Sequence, residues 1–169
     1  MINDFDDNIR SRSYAETIFK WSKLQAEKFW FCIDYNHSIL ELGSWNGIYL
    51  DYLQELWFFN TQWIDARPRY YDAFPDLNIT KWIIWNMSFD SQIFDILTSI
   101  SIFDKGIYKE QDRNKMLQDI HRVLKPSGLY IAYENRESSE IKTILENMWH
   151  RANTIIIGMS NNVFVPAKN

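Results

Sequence analysis

A chain of 169 residues, 46% hydrophobic and 24% charged, holds enough apolar material for one core, which excludes two independent domains and any need for a metal or disulfide staple. The net charge of −4, with 18 Lys and Arg spread along the chain, excludes a basic footprint for phosphate backbones. One cysteine, Cys32, excludes an internal disulfide, and no apolar run reaches the ~20 residues that span a bilayer, so with an acidic start at Met1-Ile2-Asn3-Asp4 the chain reads as cytoplasmic.

Residues 1–12 are polar and aperiodic and read as a frayed lead-in. Ser13-Tyr14-Ala15-Glu16 has capping-box spacing and predicts a helix over about 14–31, carrying Ile18, Trp21, Phe29 and Trp30. A short apolar run, Ile39-Leu40-Glu41-Leu42, predicts a strand that ends at Gly43. After Asn46-Gly47, the residues Ile48, Tyr49, Tyr52, Leu53, Leu56 and Trp57 repeat at helical spacing. Gln62–Asp65 predicts a second strand, Arg67-Pro68 opens a weak helix ending near Phe74-Pro75, and Lys81–Trp85 predicts a third strand. The fourth is Phe94–Ser99.

Met116, Leu117, Ile120, Val123 and Leu124 mark a helix that stops at Lys125-Pro126-Ser127-Gly128, where proline cannot continue it. Leu129–Tyr133 is the predicted fifth strand, and Ile141, Ile144, Leu145, Met148 and Trp149 make another helical stripe. Thr154–Met159 and Val163–Val165, joined by Ser160-Asn161-Asn162, predict an antiparallel hairpin. Strands alternating with helices predict an α/β fold: a doubly wound, Rossmann-like, mostly parallel sheet of seven strands with an antiparallel C-terminal hairpin strand. The whole of 1–169 is then one domain, with 13–37 a helical cap and 38–169 the sheet and its helices.

Ligands of such sheets bind beyond the carboxyl ends of the strands, where strand order reverses, which directs attention to Gly43, Asp65, Asn86 and Ser99. The run Glu41-Leu42-Gly43-Ser44-Trp45-Asn46-Gly47 is strand, turn and helix start, and it holds two of the five glycines. A turn of this kind brings backbone N–H groups and a helix N-terminus to the sheet edge, where they can hold an anionic group. Asp65 closes the second strand, where a carboxylate can accept two hydrogen bonds from a ribose diol. The spacing G-x-G-x-x-G of a pyrophosphate cradle is absent, which disfavours a dinucleotide.

With these residues in place, the chain resembles the class I S-adenosylmethionine-dependent methyltransferases. Their first motif commonly ends a strand as E-L-G-x-G-x-G, and here it stands as Glu41 to Gly47 with Trp45 at the middle glycine. Asp65 in Trp63-Ile64-Asp65-Ala66, the run Phe94-Asp95-Ile96-Leu97-Thr98-Ser99, and Arg122-Val123-Leu124-Lys125-Pro126-Ser127-Gly128 match the second strand end, the fourth strand and the helix-to-fifth-strand turn of that family. The resemblance extends over about residues 38–135.

It implies a cofactor site for S-adenosyl-L-methionine, with S-adenosyl-L-homocysteine as product. The site would be built from Glu41, Gly43, Ser44, Trp45, Gly47, Asp65, Ala66, Asn86, Met87 and Ser99, with Tyr14 on the N-terminal helix closing it. Asn86 stands where the family often has an acidic acceptor for the adenine amino group, and an asparagine carbonyl can accept the same bond. Trp45 either packs near the cationic methionine part of the cofactor or turns away onto the first helix.

Methyl transfer needs alignment, exclusion of water and, for a neutral acceptor, a general base; Ser99 and Asp104 are the catalytic candidates near the fourth strand. His121 falls in a solvent-facing register, and the three histidines share no metal-ligand spacing, so no metal is expected. Aromatic and apolar residues around the fourth strand, Ile100 to Phe103 among them, favour O- or N-methylation of a small organic molecule, with a protein side chain second. Neither N-P-P-aromatic nor a cysteine follows the fourth strand, which argues against nucleic acid. Two other readings stay open: cyclisation or elimination on the cofactor itself, and a non-catalytic methyltransferase-like binding protein. No membrane partner is expected, and homodimer formation is left open.

Overall fold

The computed structural model describes residues 12–43, 47–65, 79–81, 84, 86–102, 110–134, 154–159 and 163–164. The lead-in at 1–11, the turn residues Ser44 to Asn46, Ala66 and the weak helix after it, the segment from Phe103 through Asp104, and the predicted helix over 141–149 lie outside the described residues.

Among the described residues, three helices, α1 (Arg12–Lys28), α2 (Ile48–Glu55) and α3 (Glu110–Val123), accompany a sheet of β1 (Ile39–Leu42), β2 (Thr61–Asp65), β3 (Ile79–Lys81), β4 (Phe94–Ile100), β5 (Leu124–Glu134), β6 (Thr154–Met159) and β7 (Val163–Phe164). The strands lie in the order β3-β2-β1-β4-β5-β6-β7. Every pairing from β3 to β6 is parallel, and only β7 runs antiparallel, through Ile157↔Phe164 and Gly158↔Val163. The fold is therefore α/β with a parallel sheet. Among the described residues no helix is long and apolar enough to cross a membrane.

Side-chain alternation along the strands divides the core in two. On one face Ile39, Ile96, Leu129 and Ile131 pack with Ala15, Ile18 and Ala26 of α1 and Tyr49, Tyr52 and Leu53 of α2. On the other, Leu40, Leu42, Ile64, Leu97, Tyr130 and Ala132 pack with Met116, Leu117, Ile120 and Val123 of α3. The stripe read in the sequence of α3 is thus its buried face, and His121 is exposed as its register required.

Several boundaries differ from the sequence expectation. α1 begins at Arg12, so Ser13 lies within the first turn, and Glu16 pairs with Lys20 one turn on. The helix ends at Lys28, because Trp30 takes a left-handed φ of 61° and the Phe31 N–H closes back on the Ala26 carbonyl at 3.1 Å. The third strand is Ile79–Lys81 instead of Lys81–Trp85. It pairs with β2 from Trp63↔Ile79 to Asp65↔Lys81, and Ile84 lies in a turn with its side chain in the α3-side core. β5 starts directly after α3 rather than at Leu129: Leu124 pairs with Phe94 and Leu129 with Ile96, so the Lys-Pro-Ser-Gly residues form a bulge inside the strand.

That bulge is tied to the amino edge of the sheet. Asp95 accepts hydrogen bonds from the Ser38 N–H at 2.9 Å and from Lys125 Nζ at 2.7 Å, and the Ser38 hydroxyl lies 2.7 Å from the same carboxylate. Burial alone would raise the Asp95 carboxyl; the Lys125 and Ser38 contacts outweigh it and hold the group below its ordinary value of 3.8. A depressed folded value contributes stability above the unfolded one and loses it as pH falls through the folded one. Asp95→Asn is therefore expected to cost about 1–3 kcal/mol at pH 7 in denaturant melts, most of it through Ser38 because Lys125 is solvent-screened. The gap to the native chain should narrow below about pH 4.

Candidate functional site

The chain runs from β1 outward to β2 and β3, then returns across β1 to β4 and β5, so strand order reverses between β1 and β4. A crevice forms at such a reversal, outside the carboxyl ends. Registers place those ends side by side: Leu42 opposite Ile64 and Ser99, and Ser99 opposite Ala132. The last rungs are Gly43 N–H to the Ile64 carbonyl at 2.8 Å and Ser101 N–H to the Tyr133 carbonyl at 2.7 Å. Gly43, Asp65, Ser101 and Tyr133 thus share one edge.

Gly43 has φ +69°, and a Cβ there would stand 2.8 Å from Ile102 Cγ2 and 3.8 Å from Ile84 Cδ1. The left-handed backbone and the closeness of Ile102 and Ile84 to the side-chain position together require glycine here. Gly47, with φ 74°, begins α2 on the far side of the turn. Asp65 is only 8% exposed, on the strand end adjacent to Gly43. A buried acceptor beside a helix start and a glycine turn suits a ligand that carries both hydroxyl donors and an anionic end.

Glu41 is fully buried one residue inside this edge, on the α1/α2 face. Burial, with the neighbouring Glu41 adding to it, pushes the Tyr49 phenol well above its ordinary value. Tyr14 is carried by α1 to the end of β5, its ring edge-on to Tyr133 at 6.0 Å, with Trp21 at 5.7 Å from the same ring. These three aromatics cluster where α1 meets the carboxyl end of β5, packed against the α1/α2-side core beside the carboxyl edge.

Two candidates are turned away from it. The Ser99 hydroxyl lies on the α3 face, 1% exposed, and shares a 2.8 Å hydrogen bond with the Tyr130 hydroxyl. The Met87 side chain is buried in the α3-side core, whereas its neighbour Asn86 is exposed. Among the described residues no group of three or more His, Cys, Asp or Glu could hold a metal ion.

Ser101 is the residue that sequence reasoning passed over, naming it only within a lining segment. It has φ 53°, in the left-handed region that costs a non-glycine residue about 1–3 kcal/mol, and its Oγ is buried with no hydrogen-bond partner. Nothing in a run of Ser and Ile marks one serine as left-handed, so no sequence signal was available. Ser101→Gly should raise the thermal midpoint by a few degrees, corresponding to about 0.5–1 kcal/mol of relieved strain. An unchanged or lower midpoint would show that the backbone there is not strained.

No protein-family model matches the chain, and no curated protein matches it. Solved structures do. An inferred S-adenosyl-L-methionine-dependent methyltransferase from Methanococcus maripaludis superposes with a TM-score of 0.59 at 14% identity, over 87% of this chain and 68% of that one. A SAM-dependent methyltransferase from Aquifex aeolicus gives 0.54 at 18% identity, over 79% and 86%. The 1,6-didemethyltoxoflavin-N1-methyltransferase of Burkholderia thailandensis, solved with 1,6-didemethyltoxoflavin and S-adenosylhomocysteine, gives 0.53 at 12% identity, over 92% and 81%. At such identities the likeness is one of architecture, and in architecture this chain has the class I S-adenosylmethionine-dependent methyltransferase fold.

Proposed function

We propose that the chain binds S-adenosyl-L-methionine at the carboxyl edge of β1 and β2 and directs its methyl group to an oxygen or nitrogen of a small organic molecule. The observation that carries this reading is the buried Asp65 carboxylate on the strand end beside Gly43, where the chain turns with a left-handed φ of +69° at the carboxyl edge of the sheet. Those residues fit the cofactor: Asp65 would accept from the ribose hydroxyls, the turn through Ser44 and Trp45 to Gly47 would meet the methionine end, and Asn86 would accept from the adenine amino group. When bound, the cofactor supplies a methyl group on a sulfonium leaving group.

The chain's own part is alignment and exclusion of water. Tyr14, Trp21 and Tyr133 offer aromatic walls for an acceptor at the β4–β5 side, a surface suited to a small, largely apolar molecule. The Burkholderia neighbour, which binds a small heterocycle, supports this acceptor class. Asp104 is proposed as the base that takes the acceptor proton, whereas Ser99, turned to Tyr130, serves the packing of β4 on β5.

Incubation with methyl-labelled cofactor and a panel of small phenols, amines and heterocycles tests the reaction. Label in an acceptor with stoichiometric S-adenosylhomocysteine supports methyl transfer. Methylthioadenosine in its place would assign cyclisation or elimination, and an intact cofactor across the panel would contradict the reading.

A further inference from the structure

Between β3 and β4 the chain passes along the end of α3 in the stretch Asn86 to Phe89, in which side chains alternate: Met87 is buried and Phe89 half-buried, while Asn86 and Ser88 are exposed. The inward side of this stretch is held by one pair of side chains from the last turns of α3. Arg122 donates from Nη2 to the Met87 carbonyl at 2.7 Å and from Nη1 to the Phe89 carbonyl at 2.6 Å. Asp119 accepts the Met87 N–H at 2.6 Å and the Arg122 Nε at 2.7 Å. The end of the same helix accepts from the following backbone, Gln92 N–H to the Arg122 carbonyl at 2.8 Å and Ile93 N–H to the Val123 carbonyl at 3.0 Å.

Both main-chain hydrogen-bonding groups of Met87 are therefore spent on α3, and the guanidinium bridges the carbonyls of Met87 and Phe89. A planar fork of donors fits this geometry where an ammonium would not. The stretch begins two residues after Ile84, whose Cδ1 lies within van der Waals reach of the side-chain position at Gly43. The clamp thus fixes a strand of chain between the glycine turn and α3, and it leaves Asn86 as an outward-pointing group on that strand.

We propose that Asp119 and Arg122 are positioning residues for the nucleobase: acting through the Asn86–Phe89 backbone, they set where Asn86 meets the adenine amino group. This rests on the cofactor reading above. It gives a physical role to the arginine that opens the Arg-Val-Leu-Lys-Pro run, and it makes nucleobase selection depend on a helix that need not touch the ligand.

The test compares calorimetric Kd values for S-adenosylhomocysteine and its analogue lacking the 6-amino group, with native chain, Asn86→Ala, Arg122→Gln and Arg122→Lys. The native chain should prefer the amino compound by roughly three- to tenfold, the worth of one hydrogen bond. Asn86→Ala should erase the preference, and Arg122→Gln should erase it too although Asn86 is intact. Arg122→Lys, which retains the charge but not the fork, should fold and show the same loss. A purely structural role would lower the thermal midpoint and weaken both ligands equally, so a folded Arg122 variant with the native preference overturns the proposal. So does a native chain that binds both compounds equally, with the cofactor reading left standing. Binding of neither compound would sink both.

Discussion

Replacing Gly43 with alanine is expected to remove cofactor binding and to destabilise the chain by about 2–5 kcal/mol, summing a left-handed β-carbon penalty with overpacking against Ile102. Two independent constraints meet at this residue. Its φ of +69° is costly for any side chain, and the added Cβ would sit 2.8 Å from Ile102 Cγ2. Ile102 cannot simply retreat, being 4% exposed within the α3-side core beside Ile84. Relief must come from the backbone at Gly43 itself, the strand end where the proposed cofactor site begins. Gly43→Ala should thus shift the denaturant midpoint down with an unchanged slope, and the folded fraction should show no heat with S-adenosylhomocysteine. A variant of native stability would mean that the turn has another conformation.

Asp65→Ala is expected to leave the fold largely intact and to weaken S-adenosylhomocysteine by at least about tenfold and up to several hundredfold. The estimate takes the loss of one or two charge-assisted hydrogen bonds at about 1.5–3 kcal/mol each. The carboxylate is 8% exposed at the end of a strand, so a ligand that reaches it gains a partly desolvated acceptor. Asp65→Asn separates charge from shape. It retains an acceptor and should recover part of the affinity. Equal affinity for all three chains would place the ribose elsewhere.

What the sequence made legible was whatever depends on local pattern. Apolar runs ending in Gly43, Asp65 and Ser99 marked strand ends that lie in one row, since parallel strands joined by crossovers have to align their carboxyl ends. The stripe of Met116, Leu117, Ile120 and Val123 became the buried face of α3, because side chains at that spacing share one side of a helix.

What stayed hidden depends on register and on partners distant in sequence. Ser99 and Ser101 are alike on paper. β4 carries Ser99 onto the α3 face, where Tyr130 meets it, and the chain then turns left-handed at Ser101. The pairing of Ile79 to Lys81 with Trp63 to Asp65 is a register set by a distant strand, and a run of Lys81 to Trp85 contains no record of that. The clamp of Asp119 and Arg122 on Met87 and Phe89 spans more than 30 residues of chain, and only the packing of the end of α3 on the β3–β4 connection brings those groups together. Asp95 was read as part of a family motif at the fourth strand. Its contacts with Ser38 and Lys125 show that it secures the amino edge of the sheet, opposite the carboxyl ends of the strands.

The central claim is that this fold retains a working cofactor site, and calorimetric titration of the full chain with S-adenosylmethionine and S-adenosylhomocysteine, beside Asp65→Ala, tests it most directly. The account predicts one site per chain with micromolar affinity for both compounds, weakened by the substitution; absence of heat with either compound in a folded native chain would contradict it.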